Sequence, residues 1–288
     1  MTSIINGSRH RITVAVGQQQ ALAQRIARLQ GDVATGKRIQ TPSDDPAGAA
    51  RVERIGRRQA DLAVGRDNLR MLAAASGAAD SVLDTAAVIT ARARELMVQA
   101  ATATVSAPDR TAIAVELRAL ADQMTGLADT RASNGDPLFA SGAALSVPTV
   151  DGVALTAVAS RTAVFGTIAT ANGPQDAAAI IIAAANAIVI ADPAARAASI
   201  GTAITDLAAA DDHLILARAT QGATARRMDD MLDGIASELL VQAEERSGIE
   251  DTNLTTALAQ IQGAQLTLQA AQGIFARLNQ STLFDLLR

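Results

Sequence analysis

From Pro46 to about Ala103 the chain is compatible with a single helix for over 50 residues, weakened only by Gly56, Gly65 and Gly77. A helix of that length exceeds the usual globular range and reads as a rod or a coiled coil. Its apolar surface comes from Leu62, Leu69, Leu72, Val82, Leu83, Ile89, Leu96 and Met97, with Arg and Asp outside. What can pack on that surface is restricted by the side chains available. There are four Phe and no Tyr or Trp, and about a quarter of the residues are Ala. Ala costs little entropy in a helix and permits close approach, so stability must come from long helical surfaces rather than a bulky centre. With 49% apolar and 19% charged residues, wholesale disorder of the highly charged kind is excluded.

Ser106 and Pro108 open a second helix through Ile113, Leu117, Leu120, Met124 and Leu127, which pairs back against the first and buries both stripes. Between Asp136 and Gly173, Gly and Pro recur at short intervals around three β-favourable pieces, Ala144 to Val150, Val153 to Val158 and Ala163 to Ile168. Asp151-Gly152 reads as a hairpin turn. Helicity resumes after Pro174, breaks near Asp192-Pro193 and continues from Ala194 through about Arg246.

Both ends carry helical seams. Ile12, Ala15, Gln19, Leu22, Ile26, Leu29 and Val33 alternate spacings of three and four, the pattern of a heptad. Such a face packs within its own domain or pairs with another terminal segment or subunit. From Asp251 to Leu287 a second stripe runs through Leu254, Leu258, Ile261, Leu268, Phe275 and Leu278, with Gln265 and Gln272 read as amides at heptad positions. Buried amides weaken a coiled coil but select register and partner, so both end helices are expected to order on assembly and to lie together. In the turn-rich interruption Gly31 to Ala50, Ser43 or Asp44 is expected to cap the long helix, with Asp45 and Pro46 in its first turn.

The same inventory removes most chemistry. Without Cys there is no disulfide, thiol nucleophile or thiolate metal site, and only two His remain. Gly31, Gly36 and Lys37 are followed by Arg38 where a phosphate-binding loop needs a hydroxyl. Asp44-Asp45 suit a helix start rather than a carboxylate pair. His213 follows Asp211-Asp212 but has no identifiable nucleophile to activate. Arg51, Arg54, Arg57 and Arg58, with Arg226-Arg227, lack interleaved aromatics in a chain of net charge -4, so nucleic acid is not implied. Asp229, Asp230, Asp233 and Glu238 are their expected counter-ions. The apolar run Ala177 to Ala191 is too short to span a bilayer, and the N-terminus lacks a signal-peptide core. An enzyme with activity in the middle region finds no convergent residues to support it.

TGKRIQTPSDDPAGAA at Thr35 to Ala50 resembles the signature of the flagellin superfamily between its first helix and its long second helix. RARELMVQA at Arg92 to Ala100 and QGATARRMDDM at Gln221 to Met231 resemble further parts of that scaffold. The ending IFARLNQSTLFDLLR is most similar to the hook-associated protein 3 group, the hook-filament junction proteins, while AVFG at Ala163 to Gly166 is also similar to compact flagellins. The resemblance implies a mainly α fold, an elongated antiparallel helical bundle or coiled-coil rod with a small β element in the middle. The corresponding division is 1–41, an assembly helix; 42–135, half of the rod; 136–173, the β-containing region; 174–247, the other half; and 248–288, a second assembly helix.

It further implies a structural subunit, without cofactor, catalytic centre or metal, that joins hook to filament, or alternatively a flagellin or minor filament subunit. A cytoplasmic helical adaptor is the distant alternative. Implied partners are like subunits, a neighbouring hook-associated protein, flagellin, and the flagellar export apparatus with an export chaperone; no membrane or nucleic acid is implied. The location implied is extracellular, reached without a cleaved signal peptide. The assembly residues are then Ile12, Leu22, Ile26, Leu29, Val33, Leu254, Leu258, Ile261, Leu268, Phe275, Leu278 and Phe284, and Pro42, Asp44, Asp45 and Pro46 set the interhelical connection.

Overall fold

The structure is a computed structural model that describes the backbone of residues 2–102, 104–144 and 146–285, and the side chains among these except at 2–9, 11, 12, 151 and 278–285. Seven α-helices follow one another among these residues: α1 (Thr2–Thr35), α2 (Pro46–Ala100), α3 (Ala107–Ala128), α4 (Arg161–Phe165), α5 (Ala177–Ile188), α6 (Pro193–Glu250) and α7 (Leu254–Asp285). Four three-residue strands lie between α3 and α5: β1 (Ser146–Pro148), β2 (Ala154–Thr156), β3 (Ile168–Thr170) and β4 (Gly173–Gln175). The chain divides into two compact units, residues 1–59 with 239–288, and residues 60–238.

In the unit 60–238, α2 buries Leu62, Leu69, Leu72, Ser76, Ala79, Leu83, Ala86, Thr90, Ala93, Met97 and Ala100, a seam stepping by three and four residues once Gly65 is included. A seven-residue repeat of this kind turns one narrow face continuously toward a partner. That partner is α6, which buries Leu207, Ala210, Leu214, Gln221, Met228 and Ile235 in the same rhythm. The two run antiparallel: Arg94 faces Asp211, Arg218 pairs with Asp80 and Asp84, and Gln221 Nε2 donates to Ser76 Oγ. Small residues at alternate seam positions are how an Ala-rich chain without bulky aromatics keeps these helices close. Part of α2 is long and apolar enough to cross a bilayer, but its seam is buried within the protein.

Around this pair, α3 packs on α5 and closes a core through Ile113, Leu117, Met124, Ile180, Ile181 and Ile188. Ser106 starts α3 by accepting from Asp109 N–H at 3.3 Å, and Asp176 starts α5 by accepting from Ala178 N–H at 2.9 Å. Phe139 and Phe165 meet edge to face at 5.1 Å between centroids in this core.

The hairpin expected at Asp151-Gly152 forms: β1 and β2 pair antiparallel with Val147 opposite Leu155, and Gly152 takes φ +75°. It lies on α2, where Asn68 Nδ2 donates to Pro148 O and a Cβ on Gly65 would clash with Val150 Cγ2. The third expected strand is corrected. Residues 161–165 are helical, capped by Ser160 accepting from Ala163 N–H, and the strand begins at Ile168. β-Favourable Val164 and Phe165 are fully buried in the core, and that burial overrides their propensity.

Candidate functional site

The unit 1–59 with 239–288 is built on α1 and α7, which pack along each other. On α1, among side chains described from Thr13 to Val33, Ile26 is buried and Ala15, Gln19, Leu22, Leu29 and Val33 are half-buried, while most of the rest are exposed. Of the sequence-derived assembly residues on this helix, the structure therefore places Leu22, Ile26, Leu29 and Val33 on one face. On α7 the covered face is Ala257, Ile261, Ala264, Leu268, Ala271 and Phe275. This corrects the expected seam: Gln265 and Gln272 are exposed, and Ala264 and Ala271 hold the positions read as buried amides. Stepping by four from Ile261 reaches Gln265, whereas the helix face continues by three to Ala264. Leu254 and Leu258 lie outside the covered face, 51% and 50% exposed. The side chains of Ile12, Leu278 and Phe284 lie outside the described residues.

The two connections beside these helices are held together by a dense polar set. Gly36 at φ +72° ends α1 in the left-handed conformation that glycine adopts without a Cβ penalty. The strand-like residues after it then pair with the start of the α6–α7 connection. Arg38 N–H donates to Glu250 O at 2.7 Å and Thr252 N–H to Gly36 O at 2.8 Å, giving an antiparallel bridge between Lys37 and Asp251. The end of α1 thus meets the start of α7, so the two run antiparallel.

Charge reinforces the backbone pairing. Lys37 Nζ lies 2.6 Å from Glu250 Oε1 and Arg246 Nε lies 2.9 Å from Glu250 Oε2. The Lys37 bond, then Arg246, hold the Glu250 carboxyl below its ordinary range against the opposing effect of burial. Arg38 Nη2 reaches across to Ile249 O at 2.9 Å and faces Asp45 Oδ2 at 3.4 Å.

Within the α1–α2 connection the two adjacent carboxylates do different work. Asp44 Oδ2 accepts from Thr41 N–H at 2.8 Å, Thr41 Oγ1 at 3.0 Å and Gln40 N–H at 3.2 Å, closing the turn; the Thr41 bonds lower its pKa. Asp45, not Ser43 or Asp44, caps α2, accepting from Gly48 N–H at 2.9 Å. Ser43 instead bonds Thr41 Oγ1. Pro46 occupies the first helical position, where its fixed φ is suited and its missing N–H costs nothing. Pro42 sits within the turn Asp44 closes.

Two arginines of the basic patch find carboxylates within this unit. Arg51 pairs with Glu245 at 2.6 Å and Arg57 with Glu53 at 2.5 Å, because antiparallel helices bring Glu245 beside Arg51. Sequence reasoning weighed Lys37 and Arg38 only against a phosphate-binding loop and missed their pairing with the Glu250 segment, the centre of this set. Nothing in local periodicity joins positions more than 200 residues apart.

His213 lies beside a cleft of about 390 Å³ in the other unit, its Nε2 3.0 Å from Ala163 O. Among the described residues no group of three His, Cys, Asp or Glu is placed to hold a metal ion.

Residues 15–144 match the family of the bacterial flagellin N-terminal helical region. No curated protein matches the chain by sequence. Among solved structures it is similar to a putative flagellar hook-associated protein from Vibrio parahaemolyticus, with a TM-score of 0.65 at 14% identity over 72% of this chain and 100% of that one. It is also similar to flagellar hook associated protein-3 from Legionella pneumophila, with a TM-score of 0.63 at 13% identity over 67% and 97%. The flagellar junction protein FlgL from Legionella pneumophila gives a TM-score of 0.57 at 12% identity over 70% and 100%. At these identities the likeness is one of fold.

Proposed function

We propose that this chain, whose residues 15–144 match the bacterial flagellin N-terminal helical region, is a structural subunit of the flagellum that joins hook to filament. The observation that carries the reading is that region together with a fold shared along nearly the whole length of hook-associated and junction proteins.

The mechanism is packing. The paired faces of α1 and α7 supply one apolar contact, and Leu254, Leu258, Leu266 and Ile274 remain outward on α7 for neighbours. At roughly 25 cal/mol per Å² of apolar surface, a few hundred Å² per partner contributes several kcal/mol before ordering costs. Repetition through a lattice makes such contacts mechanically persistent. Neighbours differ on the two sides of a junction, so the contacts are heterologous rather than a closed twofold pair. Like subunits, a second hook-associated protein and flagellin are the partners. The chain reaches the cell exterior uncleaved through the flagellar export apparatus, with a chaperone on its C-terminal segment. In this reading Pro42, Asp44, Asp45 and Pro46 set the direction between α1 and α2.

A filament subunit is the second reading, favoured by the flagellin description of the matched family. Immunoelectron microscopy of intact motile cells, with an epitope inserted after the exposed Gly142, separates the two. A single band where hook meets filament is expected. Label along the filament makes the chain a flagellin, and label confined to the cell interior makes it a helical adaptor.

A further inference from the structure

Asp206 of α6 is 7% exposed. Its Oδ1 accepts from Ala171 N–H at 3.1 Å, in the turn between β3 and β4, and no Lys or Arg side chain pairs with it among the described residues. A carboxylate has about four acceptor positions; the Ala171 donor takes one on Oδ1, and the other oxygen is not sealed from the groove that Asp206 lines. An amide side chain would accept the same Ala171 bond at a lower desolvation cost. The charge exceeds what a turn latch requires.

The carboxylate lies in the lining of a groove of about 610 Å³. Asn172 of the β3–β4 turn, Ser199 and Thr202 add oxygen acceptors to that lining, and Thr202 Oγ1 spends its proton on Ala198 O at 3.2 Å. Ile180, Ala183, Ala187 and Ile190 supply an apolar wall. Acceptors around a buried carboxylate, beside an aliphatic wall, suit a long side chain with an apolar stem and a cationic head. One carboxylate is too few for a metal ion, and no three-ligand group exists among the described residues.

We infer that this groove binds the protonated side chain of an arginine from a second copy of the chain. The copy has a suitable donor: Arg226 and Arg227 are exposed side by side on α6, and neither pairs with a carboxylate among the described residues. Asp206 and Arg226 lie on the same helix, about 30 Å apart at 1.5 Å per residue. The contact pairs two different positions of α6, one from each copy. It does not depend on the terminal helices or on the flagellar reading.

The test has two arms on the full chain. In the first, Nα-acetylarginine amide is titrated against labelled protein while the amide resonances of Ala171, Asn172 and Thr202 are followed, with Nα-acetylglutamine amide as the neutral control. Saturable shifts with the arginine compound alone are expected. Asp206→Asn, which keeps the Ala171 acceptor, weakens them at least tenfold. Thr202→Lys places an internal cation one helical turn from Asp206, and it abolishes the shifts while raising the melting temperature. No arginine-specific shift, or an equal response in Asp206→Asn, overturns the site.

The second arm uses the absence of cysteine in the chain. Asn172→Cys and Ala223→Cys proteins are mixed at high concentration and oxidised. A mixed disulfide dimer is expected, and adding Asp206→Asn or Arg226→Gln with Arg227→Gln removes it. Failure of the mixed dimer to form, or its persistence in those variants, overturns the second copy as the source.

Discussion

The two units bury their apolar residues in different ways. In residues 60–238 the core is closed, with Phe139, Phe165, Leu69, Leu83, Met97 and Leu117 almost wholly out of solvent. In residues 1–59 with 239–288 the buried apolar side chains among those described are Ile26, Ile39, Ile55, Ala257 and Ile261, none of them fully, and most of the α1–α7 face is only half-covered. One unit is specified by packing. The other leans on backbone pairing and ion pairs at its connections. A unit with a half-covered seam retains apolar surface that the closed core does not, and the assembly proposal rests on that difference.

The sharpest way to break this comparison is to damage the closed core. Phe165→Ala is expected to cost about 3–5 kcal/mol, the range for deleting a buried aromatic. Denaturant unfolding measures the loss, and hydrogen exchange in α1 and α7 should hardly change. Loss of protection in all helices together would mean that the units do not differ as described.

A smaller effect is expected on the α1–α7 face. Ile261→Ala, with Ile261 buried against α1, should cost about 2 kcal/mol, the low end for Ile truncation where neighbours are half-exposed. Exchange at residues 22–33 should accelerate while the unit 60–238 keeps its protection. Leu268→Ala with Phe275→Ala tests the assembly proposal on the same face: recovery in assembled appendages falls while the core is unaffected. Equal loss of core stability would sink that assignment of roles.

Glycine substitutions set the close-packed connection against an open helix. A Cβ on Gly48 would meet Asp45 Oδ2 at 2.5 Å and Ile39 Cδ1 at 2.8 Å, so both the cap and a buried side chain must move. Gly48→Ala should destabilise by about 1–2 kcal/mol despite the better helix propensity of Ala. At Gly77 nothing lies within 4 Å, and Gly77→Ala should stabilise by about 0.5–1 kcal/mol. Thermal melts of both variants give the two signs, and the same sign for both would refute the close approach at Gly48.

The weakest effect is electrostatic. The carboxyl of Glu250 titrates below its ordinary value of 4.5, so its contribution is complete above that value. It is lost as pH falls through the lower folded value. Protection of the Arg38 and Thr252 amides should decline in that acid window, and Glu250→Gln should remove the dependence at a cost on the order of 0.5 kcal/mol. A pH-independent protection in the unsubstituted chain would show that backbone pairing alone holds the connections.

Much of this contrast is legible before any coordinates. The α1 face through Leu22, Ile26, Leu29 and Val33 follows from spacing alone, because a helix repeats every 3.6 residues and a three-four alternation stays on one side. The helix start at Ser106 and the turn at Gly152 are similarly local, since each depends on a side chain or φ value of its own few residues. On α7 the same reasoning loses register: Ala is ambiguous between core and surface, so Ala264 and Ala271 give no signal against the neighbouring Gln residues. At Val164 and Phe165 it gives the wrong element, because burial outweighs β-propensity.

By itself, then, the amino-acid order determined the long helices, their breaks at Pro46, Pro108 and Pro193, and the exclusion of thiol and aromatic-rich chemistry. These depend on intrinsic propensity, residue type and near-neighbour spacing. Only the tertiary structure decided which alanines face inward, that Asp45 rather than Asp44 caps α2, and that Lys37 and Arg38 meet Glu250 across the chain. Each of those choices is an energy between segments distant in sequence, and no local pattern contains it.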